Sequence, residues 1–174
     1  LSNDQEKLLA LDNKEYSLND TTTVIADNKN PLAIAGIIGG SYSGCTLETK
    51  NVFLEVAVFN PTMVAKTGRK LGINSDARYR FERGLDLEIV NEGLDYASNL
   101  INEICGGSFS KKVDAGKLDL NKNSISYKFD TFEKTIGIEL PEKDQIKILN
   151  NLLFETKDYK DGMCTVTIPS WRND

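Results

Sequence analysis

Residues 86 to 105 constrain the fold more than any other stretch. Leu87, Val90, Leu94, Ala97, Ile101 and Ile104 recur there at steps of 3, 4, 3, 4 and 3, the spacing that lines up one face of an α-helix. Asp86 suits the N-cap, and Gly106-Gly107 stand just beyond the end. An apolar stripe of this kind needs another apolar face to cover it. The preceding residues offer one. The runs KLLAL at 7 to 11 and KEYSL at 14 to 18 flank Asp12-Asn13 as the arms of a hairpin would, although the strongest hairpin dipeptides end in glycine. TTVIA at 22 to 26 and LAIAGI at 32 to 37 repeat the arrangement around DNKNP. The chain thus opens as an antiparallel meander. Packing the 86 to 105 helix across it gives an α+β layer.

Between meander and helix lie two stretches with more than packing to explain. Gly39-Gly40 close the run GIIGG at 36 to 40. Paired glycines mark either a plain tight turn or a place where backbone takes a positive φ or approaches something closely. No GxGxxG or Walker pattern accompanies them. Residues 51 to 58, NVFLEVAV, are β-branched and aromatic enough for a central strand, interrupted by one carboxylate, Glu55. A carboxylate in such a run points to solvent, to a partner or into a site, because burying it unpaired is costly. Alternation alone leaves those readings open.

Pro61 suits the first turn of a helix that runs to about Leu71 and stops at Gly72. Val64, Gly68 and Leu71 fall on one side, while Lys66, Arg69 and Lys70 share the other. Arg78, Arg80 and Arg83 extend the positive charge, with Tyr79 and Phe81 expected on the opposite side. From Lys66 to Arg83 the local charge is +4, in a chain whose net charge is −5. A basic helix face is often only a solvated face, but charge concentrated in this way fits contact with a polyanion.

Composition changes over 114 to 124, DAGKLDLNKNS, which is the expected boundary between two domains, 1–118 and 119–174. Beyond it the pattern predicts a strand at 125 to 129. A short helix should follow from Asp130, with Glu133 at the capping-box position and Gly137 as its stop. A second helix is expected from about Pro141 to Leu152, with Ile146, Leu149 and Leu152 or Leu153 turned inward. Strands at 153 to 157 and 163 to 168 complete this small α+β unit.

Several function classes are excluded or weakened. The 174 residues include no histidine, so histidine triads and histidine general bases are absent from this stretch. Cys45, Cys105 and Cys164 lack paired spacing, which argues against a zinc site or disulfide framework and for reduced thiols. No apolar run matches a bilayer span and no signal peptide opens the sequence. A first residue of Leu and a last stretch of Trp-Arg-Asn-Asp suggest a piece of a longer polypeptide.

In order, GIIGG at 36 to 40, NVFLEVAVFNP at 51 to 61 and GINSDARYRFERGLD at 72 to 86 resemble the B3/B4 region of the β subunit of bacterial phenylalanyl-tRNA synthetases. FEKTIGIEL at 132 to 140, LNNLLFET at 149 to 156 and IPSWRND at 168 to 174 resemble the start of the B5 domain that follows it. The resemblance implies an antiparallel-rich B3/B4-like unit with packed helices and a partial B5-like unit. It also implies an editing site that hydrolyses tyrosine wrongly esterified to tRNA(Phe). In that correspondence Glu55 selects tyrosine by accepting a hydrogen bond from its hydroxyl. Gly39 forms a pocket wall, and Ser75 and Ala77 line the remainder. Glu55 and Ser75 are then the catalytic candidates, with water held by hydroxyl and backbone groups. Lys66, Arg69, Lys70, Arg78, Arg80 and Arg83 face the RNA. Asp174 corresponds to the first of several acidic magnesium ligands.

The whole enzyme of that family uses ATP and Mg2+, neither bound wholly by this stretch. Its partners are tRNA(Phe) and an α subunit, in a cytoplasmic heterotetramer of two α and two β chains with no membrane association. Departures from the family pattern are Ser75, where many relatives carry Thr, Arg78, where most carry Ser, and a pocket histidine expected upstream of Leu1. A nucleic-acid-binding module without chemistry, or a scaffold for the α subunit, are the alternatives.

Overall fold

In the computed structural model, which describes residues 1–3, 6–117 and 123–172, the first turn forms where the sequence places it. Asn13 takes a left-handed φ of 63°, a conformation asparagine tolerates better than most residues. Asp12 accepts from the Lys14 N–H at 3.1 Å and from the Tyr16 hydroxyl at 2.7 Å. The flanking strands, β1 (Lys7–Leu9) and β2 (Glu15–Ser17), pair antiparallel with Leu8 opposite Tyr16. A second turn follows from Asp27, whose carboxylate accepts from the N–H groups of Lys29 and Asn30, each at 2.7 Å. It joins β3 (Val24–Ala26) to β4 (Pro31–Ile34), and β5 (Ile38–Gly39) completes an antiparallel sheet ordered β3-β4-β5. The expected single meander is therefore two small sheets, joined by a bridge between Ala10 and Gly40.

Their shared core is Leu8, Ala10, Leu18, Ile34, Ile37, Val64 and Ile73, with Phe59, Leu71 and Phe81 packed against it. Its helical cover is α1 (Pro61–Leu71) rather than the long helix. The Asn60 side chain caps α1 by accepting from the Met63 N–H at 3.1 Å, and Gly72 ends it at φ 66°. Val64, Thr67 and Gly68 are buried, whereas Lys66, Arg69 and Lys70 are exposed.

Three expectations are corrected here. Residues 51 to 60 form no strand, and Phe53 stands 91% exposed. Their β-branched content favours extended backbone, but a strand also needs a neighbour's hydrogen-bonding groups. None of the described strands pairs with them. The arginine segment is not extended either. It forms α2 (Asp76–Phe81), so Arg78, Arg80 and Arg83 do not line one side. Finally, α3 (Ile89–Cys105) starts three residues later than Asp86, whose carboxylate accepts from the Glu88 N–H at 2.9 Å in a turn before the helix. No residue of α3 is buried. Its stripe is half covered, with Gly93 facing Val56 of the 51 to 60 segment.

The described residues fall into two compact units, Leu1–Val113 and Asp114–Arg172. The boundary expected between residues 118 and 119 lies outside the described residues. In the second unit β6 (Ser124–Lys128), β7 (Glu155–Lys160) and β8 (Met163–Thr167) form an antiparallel sheet ordered β6-β8-β7. Its core is Phe129, Cys164 and Val166, with Tyr127, Ile146, Leu149 and Phe154 against it. Between β6 and β7 lie α4 (Asp130–Ile136) and α5 (Glu142–Asn151). The capping box expected at Asp130 and Glu133 is absent: Phe129 occupies the cap without a side-chain bond, and Asp130 pairs with Lys134. Gly137 ends α4 as expected, at φ 79°. Leu152 and Leu153 turn outward, because α5 ends at Asn151 and Leu153 takes a left-handed φ of 65°.

Candidate functional site

The α1–α2 corner is built around Ser75. As the N-cap of α2 its hydroxyl oxygen accepts from the Arg78 N–H at 3.1 Å. The same hydroxyl donates to the Ile37 carbonyl at 2.5 Å, tying α2 to the 36 to 40 segment. Gly36, at φ 67°, lies so close to Phe81 and Phe59 that a Cβ there would meet their ring carbons at 3.0 and 3.1 Å. The two rings pack in a tilted pair, 5.2 Å between centroids with their planes at 38°. Three stretches far apart in sequence therefore converge: 36 to 40, the end of 51 to 61, and 72 to 81.

The glycine pair divides into two roles. Neither Gly39 nor Gly40 takes a positive φ, which in this segment belongs to Gly36. A Cβ on Gly40 would lie 2.6 Å from the Leu32 carbonyl oxygen and 2.8 Å from Leu8 Cδ1, so its close approach is to the chain's own backbone. On Gly39 the nearest atom would be Leu11 Cδ1 at 3.0 Å, the tip of an exposed side chain.

Glu55 sits four residues before Phe59 on the segment that leads into α1. The residue as a whole is exposed, yet surrounding protein partly desolvates its carboxyl and raises its pKa above the ordinary carboxylate value. No charge or hydrogen bond contributes to that shift. Ser75 lines an open cleft of 390 Å3 together with Asn74, Asp76, Arg78, Tyr79 and Glu82. Glu55, Gly39 and Ala77 are not in the lining of this cleft.

The basic residues also separate. Arg78 is only 13% exposed at its side chain, bonded to Glu82 at 2.9 Å, the Ile73 carbonyl at 2.6 Å and Asn74 at 3.2 Å. Arg83 lies 3.7 Å over the Tyr79 ring and donates to the Tyr79 carbonyl at 2.7 Å. Lys66, Arg69, Lys70 and Arg80 are exposed. Sequence reasoning missed Glu82 and Gly68 as partners of Arg78; the i, i+4 spacing of Arg78 and Glu82 was the available signal for the first. Asp174 lies outside the described residues. Among the described residues no three His, Cys, Asp or Glu side chains are grouped to hold a metal. No described helix is long and apolar enough to cross a membrane.

Two family models match: the B3/4 domain over residues 1–106 and the tRNA synthetase B5 domain over residues 125–174. The chain belongs to the phenylalanine–tRNA ligase β-subunit family. It is 42% identical over 173 residues to the phenylalanine–tRNA ligase beta subunit of Wolbachia sp. subsp. Brugia malayi, an alignment covering 99% of this chain and 22% of that protein. The Novosphingobium aromaticivorans beta subunit is 45% identical over 169 residues, 97% of this chain and 21% of the relative. The Paramagnetospirillum magneticum beta subunit is 43% identical over 174 residues, 100% of this chain and 22% of the relative. The chain thus spans about a fifth of the length of these curated relatives. The B3/4 match contains Glu55, the glycine pair and the whole Ser75 corner.

Proposed function

We propose that the B3/4 unit carries most of an editing site that hydrolyses tyrosine mis-esterified to tRNA(Phe), within an enzyme that attaches phenylalanine to that tRNA. The observation that carries this reading is the Ser75 bond to the Ile37 carbonyl, at 2.5 Å. With the Gly36 contacts to Phe59 and Phe81, it gathers the three stretches that carry the family resemblance. The need for such a site is physical: an apolar pocket built for phenylalanine rejects an analogue that only adds a hydroxyl by a modest factor, so a second site must recognise the hydroxyl itself. An ionised Glu55 accepts a hydrogen bond from the tyrosyl O–H and offers phenylalanine nothing comparable. Hydrolysis then calls for a water placed on the ester carbonyl by hydroxyl and backbone groups around Ser75 and Gly39, with Ala77 leaving room beside the ester. No side-chain nucleophile enters. ATP and Mg2+ belong to the synthetic reaction of the whole enzyme, and no step here runs through them.

The acceptor end of tRNA(Phe) is the partner for the exposed cations Lys66, Arg69, Lys70 and Arg80, with Arg83 at the edge. An α subunit is the protein partner in a cytoplasmic assembly. The test is Glu55→Ala in the complete two-subunit enzyme. Loss of Tyr-tRNA(Phe) clearance with phenylalanine charging intact is expected. Unchanged clearance by that variant overturns the role of Glu55. If instead the wild-type enzyme binds RNA in a salt-dependent way and hydrolyses no ester, the unit is a binding module only.

A further inference from the structure

We propose that Arg78 is a positioning residue that fixes Ser75, and that Gly68 exists as its seat; the catalytic half of this inference rests on the editing reading above. Arg78 holds the turn between α1 and α2 from both ends. Its guanidinium donates backward to the Ile73 carbonyl at 2.6 Å and to Asn74 Oδ1 at 3.2 Å, and forward to Glu82 at 2.9 Å. Its own backbone N–H meets the Ser75 hydroxyl oxygen at 3.1 Å. One residue therefore grips the turn by its side chain and the hydroxyl by its main chain. A largely buried guanidinium is costly unless its donors meet acceptors, and Glu82, Ile73 and Asn74 take three of its five N–H groups.

The seat is specific. Gly68 lies on the buried side of α1, and a Cβ there would come within 2.4 Å of both Cδ and Nε of Arg78 and 3.1 Å of its Cζ. Glycine inside a helix lowers helix propensity; at position 68 it makes the space that the Arg78 side chain fills. α1 and α2 pack together at this place. With the clamp intact, the Ser75 proton is committed to Ile37 and the hydroxyl is fixed relative to Gly39, two residues along. Release of the clamp lets the hydroxyl drift, and a misplacement of about 1 Å at a reacting group lowers turnover on the order of a hundredfold without a matching loss of binding.

Two measurements test this. In the 174-residue chain, hydrogen exchange at the Arg78 amide should be faster by about tenfold or more in Gly68→Ala, in Arg78→Gln and in Arg78→Lys, because lysine cannot reproduce the guanidinium fork. In the complete enzyme, each variant should lower kcat for Tyr-tRNA(Phe) hydrolysis while leaving KM near the wild-type value. The Gly68→Ala, Arg78→Gln double variant should be no worse than either single one, since both remove the same clamp. Unchanged exchange in Gly68→Ala overturns the seat. Rescue by lysine overturns the fork, and effects that multiply in the double variant overturn the shared mechanism. If the wild-type enzyme hydrolyses no Tyr-tRNA(Phe), the editing reading fails by itself, and the exchange measurement still decides whether Arg78 positions Ser75.

Discussion

Gly39 and Gly40 are adjacent, yet adding a methyl group to each should have opposite consequences. At Gly40 the new Cβ would lie 2.6 Å from the Leu32 carbonyl oxygen, about 0.8 Å inside the 3.4 Å at which ordinary van der Waals contact begins. That oxygen also accepts the Gly40 N–H at 2.8 Å, so the strand cannot move away without lengthening the bond. Overpacking of this kind costs about 1–3 kcal/mol, a weakened backbone hydrogen bond about 1, and the reduced freedom of the unfolded chain returns about 0.4–1. Gly40→Ala should therefore destabilise the chain by about 1–4 kcal/mol. At Gly39 the crowding atom is Leu11 Cδ1 at 3.0 Å, on a residue 59% exposed that can swing aside. Gly39→Ala should stay within about 0.5 kcal/mol of wild type. Urea titration of the chain, followed by circular dichroism, separates the two: with m unchanged, Gly40→Ala lowers the midpoint by about 0.5 M or more and Gly39→Ala leaves it in place. Equal midpoints for the two variants would refute the assignment of Gly40 to packing. In the complete enzyme Gly39→Ala should impair ester hydrolysis despite its normal stability.

Glu55 gives a pH signature. Its pKa is raised by desolvation, so the unfolded chain ionises first as pH rises and the fold loses stability through that interval. Glu55→Gln should be more stable than wild type at about pH 7, with the difference gone by about pH 3, where both states of the wild type are protonated. Denaturation midpoints at the two pH values check this, and a difference that persists in acid would contradict it. In the second unit, Tyr127 donates to Gln145 Oε1 at 2.7 Å, and Gln145 is 5% exposed. Tyr127→Phe strands that buried oxygen and should cost about 1–3 kcal/mol, seen as a lower thermal midpoint. A loss under about 0.5 kcal/mol would mean that water satisfies the group.

What could be read from sequence was local. Asp12-Asn13, Asp27, Asn60-Pro61, Gly72 and Gly137 each act through atoms a few residues away, and all form the turns or helix ends their chemistry favours. The failures depend on distant partners. NVFLEVAV has strand composition but no described strand beside it, and the α3 stripe has the right spacing but incomplete cover. Arg78 and Arg80 alternate with Tyr79 and Phe81 as a strand would. The stronger signal was Ser75 followed by Asp76, which is how a helix begins. At the candidate site, residue types were legible and commitments were not. Nothing local says that the Ser75 proton goes to a carbonyl 38 residues earlier, or that the +4 stretch contains an arginine turned into its own unit.

The three cysteines form a reporter that needs no labelling mutation. Cys45 and Cys105 lie at the surface, while Cys164 is 2% exposed in the middle strand of the B5 unit, its thiol pKa pushed up chiefly by burial. Since the thiolate is the reactive form, Cys164 is shielded twice, by sterics and by protonation. Two thiols in each folded chain should therefore react with a disulfide reagent at once, and the third only as often as the β6-β8-β7 sheet opens. Its rate reads the breathing of the second unit alone, in a chain whose first unit carries the candidate site.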